Sequence, residues 1–385
     1  MDQTVTKDDC CTASETRDDN YDLIVVGAGS AGFSASITAA DAGKRVALIG
    51  HGTTGGTCVN VGCVPSKAMI RAAEAVHGGA SAARFPGVEP CDHAVDWGAV
   101  VQGTTDLVEE MRHKKYIDLL PAYKSVTYIE DGPARLVEGG VAVGGRVISA
   151  PRVLIATGSR PHLPAIEGID TVEPLDSTDL LTLPDRPESI LVLGGGYIGC
   201  ELAQMASRLG VKVTLVTRSR LLPGAEPEVA QALTQALKAE DIAVETGLAY
   251  VSVAKAAGGV NLIVERGGKT EDLTAERLVV TTGRIANSEN LGLEELGIET
   301  DARGSIKVGQ DMATTRAGVW AAGDVTDRDQ FVYMAAYGAK VAINNALGLE
   351  QMRYDNAAMP WVVFTDPQVA GVGLSEVEAK AAGHK

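Results

Sequence analysis

Apolar residues gather in short runs separated by glycine-rich turns and alanine-rich stretches of helical period. The segment Leu23-Ile-Val-Val26 reads as a strand; a turn opens at Gly27, a helix runs through Ala42, and a second strand spans 45–49. Strand, turn, helix and strand in fewer than about thirty residues is a βαβ unit, which implies a parallel sheet. The same order returns at 189–193, with a glycine cluster, a helix from about Ile198 to Leu209 and a strand at 212–216. Two such units far apart in the chain predict two nucleotide-binding domains in an α/β protein.

Between them, residues 158–187 hold five of the chain's 15 prolines and little helical periodicity, so this stretch is expected to be an interdomain linker. Residues 1–20 are acidic and nearly devoid of apolar side chains, which predicts a flexible tail. The final stretch, 357–385, opens a new element and runs into an uncapped helix at 375–382, so the chain reads as unfinished.

The 385 residues suffice for two or three domains without disulfide staples. A net charge of −16 argues against nucleic acid or an anionic lipid surface as a partner. With neither a long apolar run nor a leader-like N-terminus, the expectation is a cytoplasmic protein with no membrane association. Its six cysteines, Cys10, Cys11, Cys58, Cys63, Cys91 and Cys200, are too unevenly placed for a secreted disulfide framework. Cys91 and Cys200 read as inert packing residues.

Three motifs carry chemistry. Gly27-Ala-Gly29-Ser30-Ala-Gly32 and Gly194-Gly-Gly196-Tyr-Ile-Gly199 each sit between a strand and a helix. There, glycines let the backbone approach a pyrophosphate held at the helix N-terminus. After the second unit, Arg218 and Arg220 stand where an acid would select NADH; two guanidiniums suit a 2′-phosphate and favour NADPH, the alternative being a solvated strand end. After the first unit the ribose-binding acid is missing as well, since Ile49 is followed by Gly50 and His51. The third motif is Gly55-Gly56-Thr57-Cys58-Val-Asn-Val-Gly-Cys63-Val-Pro-Ser-Lys67. Two thiols at one helix N-terminus can close a disulfide over about a turn, and the helix dipole favours thiolate, so a redox pair is expected.

With Ala156-Thr157-Gly158-Ser-Arg-Pro161, Thr282-Gly283-Arg284 and Ala322-Gly-Asp324 added, the chain resembles the pyridine nucleotide–disulfide oxidoreductase family from Tyr21 onward. The segments Met111-Arg-His-Lys-Lys-Tyr116, Gln330-Phe-Val-Tyr333 and 359–368 are similar to its mercuric reductase branch. The resemblance implies two Rossmann-like domains in a glutathione reductase-like fold. FAD would bind 21–158 with 284–350, using Gly27, Gly29, Ser30, Gly32, Gly56, Thr57, Thr157, Gly158 and Asp324. NADPH would bind 159–283, using Gly194, Gly196, Gly199, Arg218, Arg220, Gly283 and Arg284, and 351–385 would begin a dimerisation domain of a homodimer.

The resemblance further implies that Tyr197 covers the nicotinamide pocket and that Lys67 and Glu201 pair beneath the flavin. Cys63 would be the thiolate beside the flavin and Cys58 the outer thiol, together binding and reducing Hg(II) delivered as a thiol complex. Cys10 and Cys11 could gather metal or be bystanders, and Tyr333 and Tyr337 could approach it or merely pack. Two other readings stay open: a dihydrolipoamide dehydrogenase-like or other disulfide reductase, and a catalytically incomplete flavoprotein that binds soft metal.

Overall fold

The computed structural model describes residues 20–384 except Asp327, so the predicted tail with Cys10 and Cys11 lies outside the described residues. The chain opens with β1 (Leu23–Val26), α1 (Ser30–Asp41) and β2 (Val46–Ile49), the two strands pairing parallel. Helices α2 (Gly56–Asn60), α3 (Cys63–Ala80) and α4 (Trp97–Arg112) follow before β3 (Val126–Ile129) joins β2. An antiparallel meander of β4 (Arg135–Val137), β5 (Gly140–Val143) and β6 (Arg146–Ser149) leads to β7 (Val153–Ile155), on the other side of β1.

The expected linker is more structured than its prolines suggest. It contains β8 (Ser159–Pro161) and α5 (Ser177–Thr182), whose Asp176 cap and Asp179 form a capping box. The second lobe is β9 (Ser189–Leu193), α6 (Tyr197–Arg208), β10 (Lys212–Val216), α7 (Pro227–Ala239) and β11 (Ala243–Glu245). It adds an antiparallel trio, β12 (Ala249–Ala256), β13 (Gly259–Arg266) and β14 (Lys269–Ala275), and then β15 (Arg277–Val280) beside β9. The chain returns through β16 (Arg284–Ala286), antiparallel to β8, so the outgoing and returning connections are hydrogen-bonded to each other.

Back in the first lobe, β17 (Val319–Ala321) pairs with β7 and completes a parallel sheet of order β17-β7-β1-β2-β3. The second lobe's parallel sheet has order β11-β10-β9-β15. Helix α8 (Val332–Leu347) packs beside α1, followed by the hairpin β18 (Pro360–Val363) and β19 (Val369–Val372) and by α9 (Glu376–Ala381). Helix α9 is capped, contrary to expectation, because Ser375 and Glu378 form a reciprocal capping box.

Alternation along β1 explains the layers. Leu23 and Val25 face α1 and α8, while Ile24 and Val26 face Leu136, Val141 and Ile148 of the meander, so the sheet is covered on both sides. A further core joins the lobes: Met69, Ile70 and Ala73 of α3 pack with Leu202, Ala203 and Met205 of α6 and with Val363 and Val369 of the hairpin. This packing brings the start of α3 against α6. No described helix is long and apolar enough to cross a membrane.

Candidate active site

The two glycine loops repeat one geometry. Gly27 and Gly194 have φ of +114° and +116°, and a Cβ on Gly32 or Gly199 would meet the carbonyl oxygen of Gly27 or Gly194 at 1.8 and 1.9 Å. Only glycine permits that approach of helix to strand. Neither α1 nor α6 has a side-chain cap, so the first-turn amides of both remain available to an anion.

The first loop opens on a cavity of about 920 Å³ that runs between the lobes. Gly27, Gly29, Ser30, Gly56, Thr57, Thr157, Gly158 and Asp324 line it, as do Cys58, Cys63, Lys67, Tyr197 and Glu201. Gly32 sits behind the wall, in the helix contact just described. A Cβ on Gly56 would lie 2.7 Å from the Gly29 Cα, so the thiol motif and the first glycine loop form one continuous cradle. The shape, the uncapped helix end and the absent side chains fit an elongated dinucleotide with a pyrophosphate near its middle, as FAD has.

Contrary to the expectation of one shared helix N-terminus, the thiols lie on separate helices. Cys58 belongs to α2, the chain breaks at Val61 and Gly62 (φ −120°, ψ −112°), and Cys63 is the first residue of α3. Only Cys63 therefore receives the dipole of a long helix. Both are free thiols, and hydrogen bonding between them polarises the pair. The Cys58 thiol keeps its proton and is pushed far up, chiefly by that hydrogen bond and then by burial. Cys63 is lowered to about 7, chiefly by the Cys58 hydrogen bond, with the nearby Lys67 ammonium adding to it against opposing burial. The start of α3 and the nearby Lys67 ammonium both favour the thiolate at Cys63 over Cys58.

Lys67 comes from α3 and Glu201 from α6, and the lobe-joining core sets their side chains 2.6 Å apart. The other oxygen of Glu201 accepts the Phe364 amide at 2.9 Å, and the Lys67 ammonium lies 5.1 Å from the Phe364 ring centre. One turn along, the Gln204 side chain accepts from the Asp366 amide and donates to its carbonyl, and Arg208 reaches the Asp366 carboxylate at 2.9 Å. One face of α6 thus grips the main chain that follows β18.

Tyr197 stands at the start of α6, stacked on Trp361 (5.6 Å between centroids, 21° between planes) and tilted against Phe331 at 6.1 Å. Phe331 stacks on Tyr333 at 5.4 Å, and Tyr333 lines the cavity, its hydroxyl donating to the Pro360 carbonyl. Tyr337 turns elsewhere, donating to the Arg353 carbonyl at 3.0 Å and packing on Tyr354.

Arg218 and Arg220 differ in fate. Arg220 donates through Nη2 to the Pro223 and Ala225 carbonyls at 2.7 and 2.8 Å, which ties that nitrogen to its own loop. Arg218 is exposed with no hydrogen bond or ion pair among the described residues, free to meet a phosphate. Arg284, expected beside NADPH, lines the cavity: it donates to Ser159 Oγ at 2.7 Å, which donates to Asp324 at 2.7 Å. The neighbouring Gly283 accepts the His162 amide at the lobe crossing.

Cys200 is fully buried, as expected, but Cys91 is exposed in the loop before α4 and is not a core packing residue. Tyr116, Phe331, Trp361 and Phe364 lie in segments the sequence singled out but had no role assigned to them; Tyr116 hydrogen-bonds Ser30 at 3.2 Å and packs edge-on to Phe33. Tyr116 closes a π-helical turn at the end of α4, a frequent mark of functional sites but one invisible in the residue pattern.

Comparison with known proteins follows the same lines. The pyridine nucleotide-disulphide oxidoreductase family model matches residues 21–342. The mercuric reductase of Streptomyces lividans is 40% identical over 371 residues, 94% of this chain and 77% of that protein. The mercuric reductase of Staphylococcus aureus is 39% identical over 369 residues, 96% of this chain and 67% of that protein. Among solved structures, the Cu(II) complex of the HOCl-induced flavoprotein disulfide reductase RclA from Escherichia coli matches with a TM-score of 0.82 at 28% identity, covering 93% of this chain and 79% of that one.

Proposed function

The chain belongs to the pyridine nucleotide-disulphide oxidoreductase family, and from that premise we propose that it reduces Hg(II) to Hg(0) with electrons from NADPH, with FAD as its resident cofactor. The overall change is NADPH + Hg²⁺ → NADP⁺ + H⁺ + Hg(0). The observation that carries the reading is the polarised Cys58–Cys63 pair opening on the cavity shared by the first glycine loop and Tyr197.

In this proposal residues 21–158 and 284–350 bind FAD and residues 159–283 bind NADPH. Gly27, Gly29, Ser30 and Gly32, with the α1 N-terminus, take the FAD pyrophosphate, while Gly56, Thr57, Thr157, Gly158 and Asp324 line its seat. Gly194, Gly196 and Gly199 take the NADPH pyrophosphate, Arg218 its 2′-phosphate, and Tyr197 covers the nicotinamide position until the nucleotide displaces it. Bound FAD supplies a two-electron carrier between the nicotinamide and the thiols. Lys67, anchored by Glu201, keeps a positive charge where negative charge gathers as electrons arrive.

Hg(II) prefers soft sulfur ligands, and Cys63 offers one without first losing a proton. The Cys63 thiolate displaces one thiolate from an incoming bis-thiol complex. Cys58 then displaces the second, its proton leaving with that thiol, and the metal is held between the two sulfurs. We place this enzyme in the cytoplasm and assign it the homodimeric state that the family resemblance implies.

The test is NADPH oxidation by the purified protein with Hg(II) and excess small thiol, beside parallel assays with lipoamide and glutathione disulfide. A rate that requires Hg(II), with volatile mercury released, supports the proposal. A rate with a disulfide alone would reassign the chain to a disulfide reductase, and no rate with any substrate would leave a metal-binding flavoprotein.

A further inference from the structure

In a dinucleotide-binding βαβ unit, the residue that ends the second strand faces the adenosine ribose, and an acid there usually accepts hydrogen bonds from the ribose hydroxyls. Here that strand, β2, ends at Ile49 and the position is Gly50. The neighbouring strand explains what stands in its place. Tyr128 of β3 pairs with Leu48, and its hydroxyl lies 2.2 Å from where a Gly50 Cβ would be. The phenol therefore occupies the volume in which an acidic side chain would begin. Its oxygen is hydrogen-bonded at 2.8 Å to Thr54 Oγ1, and Gly50, Thr54 and Tyr128 all line the same cavity as the first glycine loop.

We propose that the Tyr128 and Thr54 hydroxyls form a neutral subsite for the vicinal diol of the FAD adenosine, replacing the missing carboxylate. The inference rests on the FAD reading given above. Each hydroxyl is one donor and two acceptors; their single mutual bond leaves one donor and several lone pairs for the two ribose hydroxyls. Gly50 is part of the device, because any side chain there would collide with the phenol. Gly50 with Tyr128, and an acid at 50 with a small residue at 128, are thus two alternative solutions to one contact.

The experiment measures FAD release from the holoenzyme on serial dilution, read by recovery of flavin fluorescence. Tyr128→Phe keeps the ring and removes only the hydroxyl, and Thr54→Val is its isosteric counterpart; each is expected to weaken FAD binding roughly 2- to 12-fold, the worth of a neutral hydrogen bond. FMN, which lacks the adenosine, is the control, and its affinity should be the same in the wild type and both variants. Gly50→Glu alone should lose FAD, and Gly50→Glu combined with Tyr128→Ala should regain it. Wild-type FAD affinity in both single hydroxyl variants would overturn the subsite, as would an equal loss of FMN binding, which would mark a general structural role. A wild-type protein that binds no FAD at all would instead overturn the FAD reading.

Discussion

Removing Cys58 should make Cys63 a slower nucleophile at neutral pH, although Cys58 is not itself the nucleophile. The structure lowers Cys63 from an ordinary 9.0 to about 7, with the Cys58 hydrogen bond as the largest cause. At pH 7 about half of Cys63 is then thiolate, against roughly 1% of an ordinary thiol, an advantage of about fiftyfold. A less basic sulfur is also intrinsically less reactive, by about eightfold over that interval. The net expectation is alkylation about sixfold faster than a free small thiol at pH 7, and approaching about eightfold slower by about pH 10, where both are largely ionised. The assay is site-resolved iodoacetamide labelling of the dithiol form, read by mass spectrometry from pH 5 to 10. Cys58→Ala should carry the midpoint upward, and Lys67→Met should carry it upward by less, following the order of causes. A wild-type midpoint near 9, a midpoint unmoved in Cys58→Ala, or faster labelling of Cys58 than Cys63 would refute the reasoning.

Other contacts give further expectations. Trp361→Leu removes the stack that holds Tyr197 over the cavity; at about 0.5–1.5 kcal/mol for such a pair, NADP⁺ should bind roughly 2- to 12-fold more tightly, as titration calorimetry would read. Arg218→Ala should raise KM for NADPH while leaving KM for NADH unchanged, whereas Arg220→Ala should leave the preference intact and lower Tm, because its partners are loop carbonyls. Glu201→Ala leaves the Phe364 amide and Lys67 without their acceptor; since Lys67 is 33% exposed and can turn to water, the cost should be about 1–3 kcal/mol in urea unfolding, and a loss below about 0.5 kcal/mol would contradict the described geometry.

What was legible in the sequence was whatever is encoded locally. The strands at 23–26 and 189–193 and both glycine loops follow from a few adjacent residues, and the structure places them within a residue or two of expectation. The thiol motif was legible as two neighbouring sulfurs but not as geometry, since nothing in its spacing announced the break at Val61 and Gly62 that leaves Cys58 and Cys63 on separate helices. The hidden part of the site comes from distant segments. Tyr128 meets Thr54 across 74 residues and Tyr116 meets Ser30 across 86, contacts that exist only once β3 and α4 are in place. Arg220 shows the opposite case, a side chain part of which is held by nearby carbonyls that a one-dimensional reading cannot weigh.

The grip of α6 on the segment after β18 has a consequence for how this protein can change. Glu201 and Gln204 hold the main-chain atoms of Phe364 and Asp366, which every amino acid but proline possesses alike. The anchorage is therefore nearly blind to the side chains it secures. Variation can accumulate along the hairpin, with new groups brought to the cavity wall at positions such as Val362, while its seating stays constant. The proposed redox centre is in this sense a fixed socket with an exchangeable rim, and what lines the entrance can drift without disturbing the pair of sulfurs beneath.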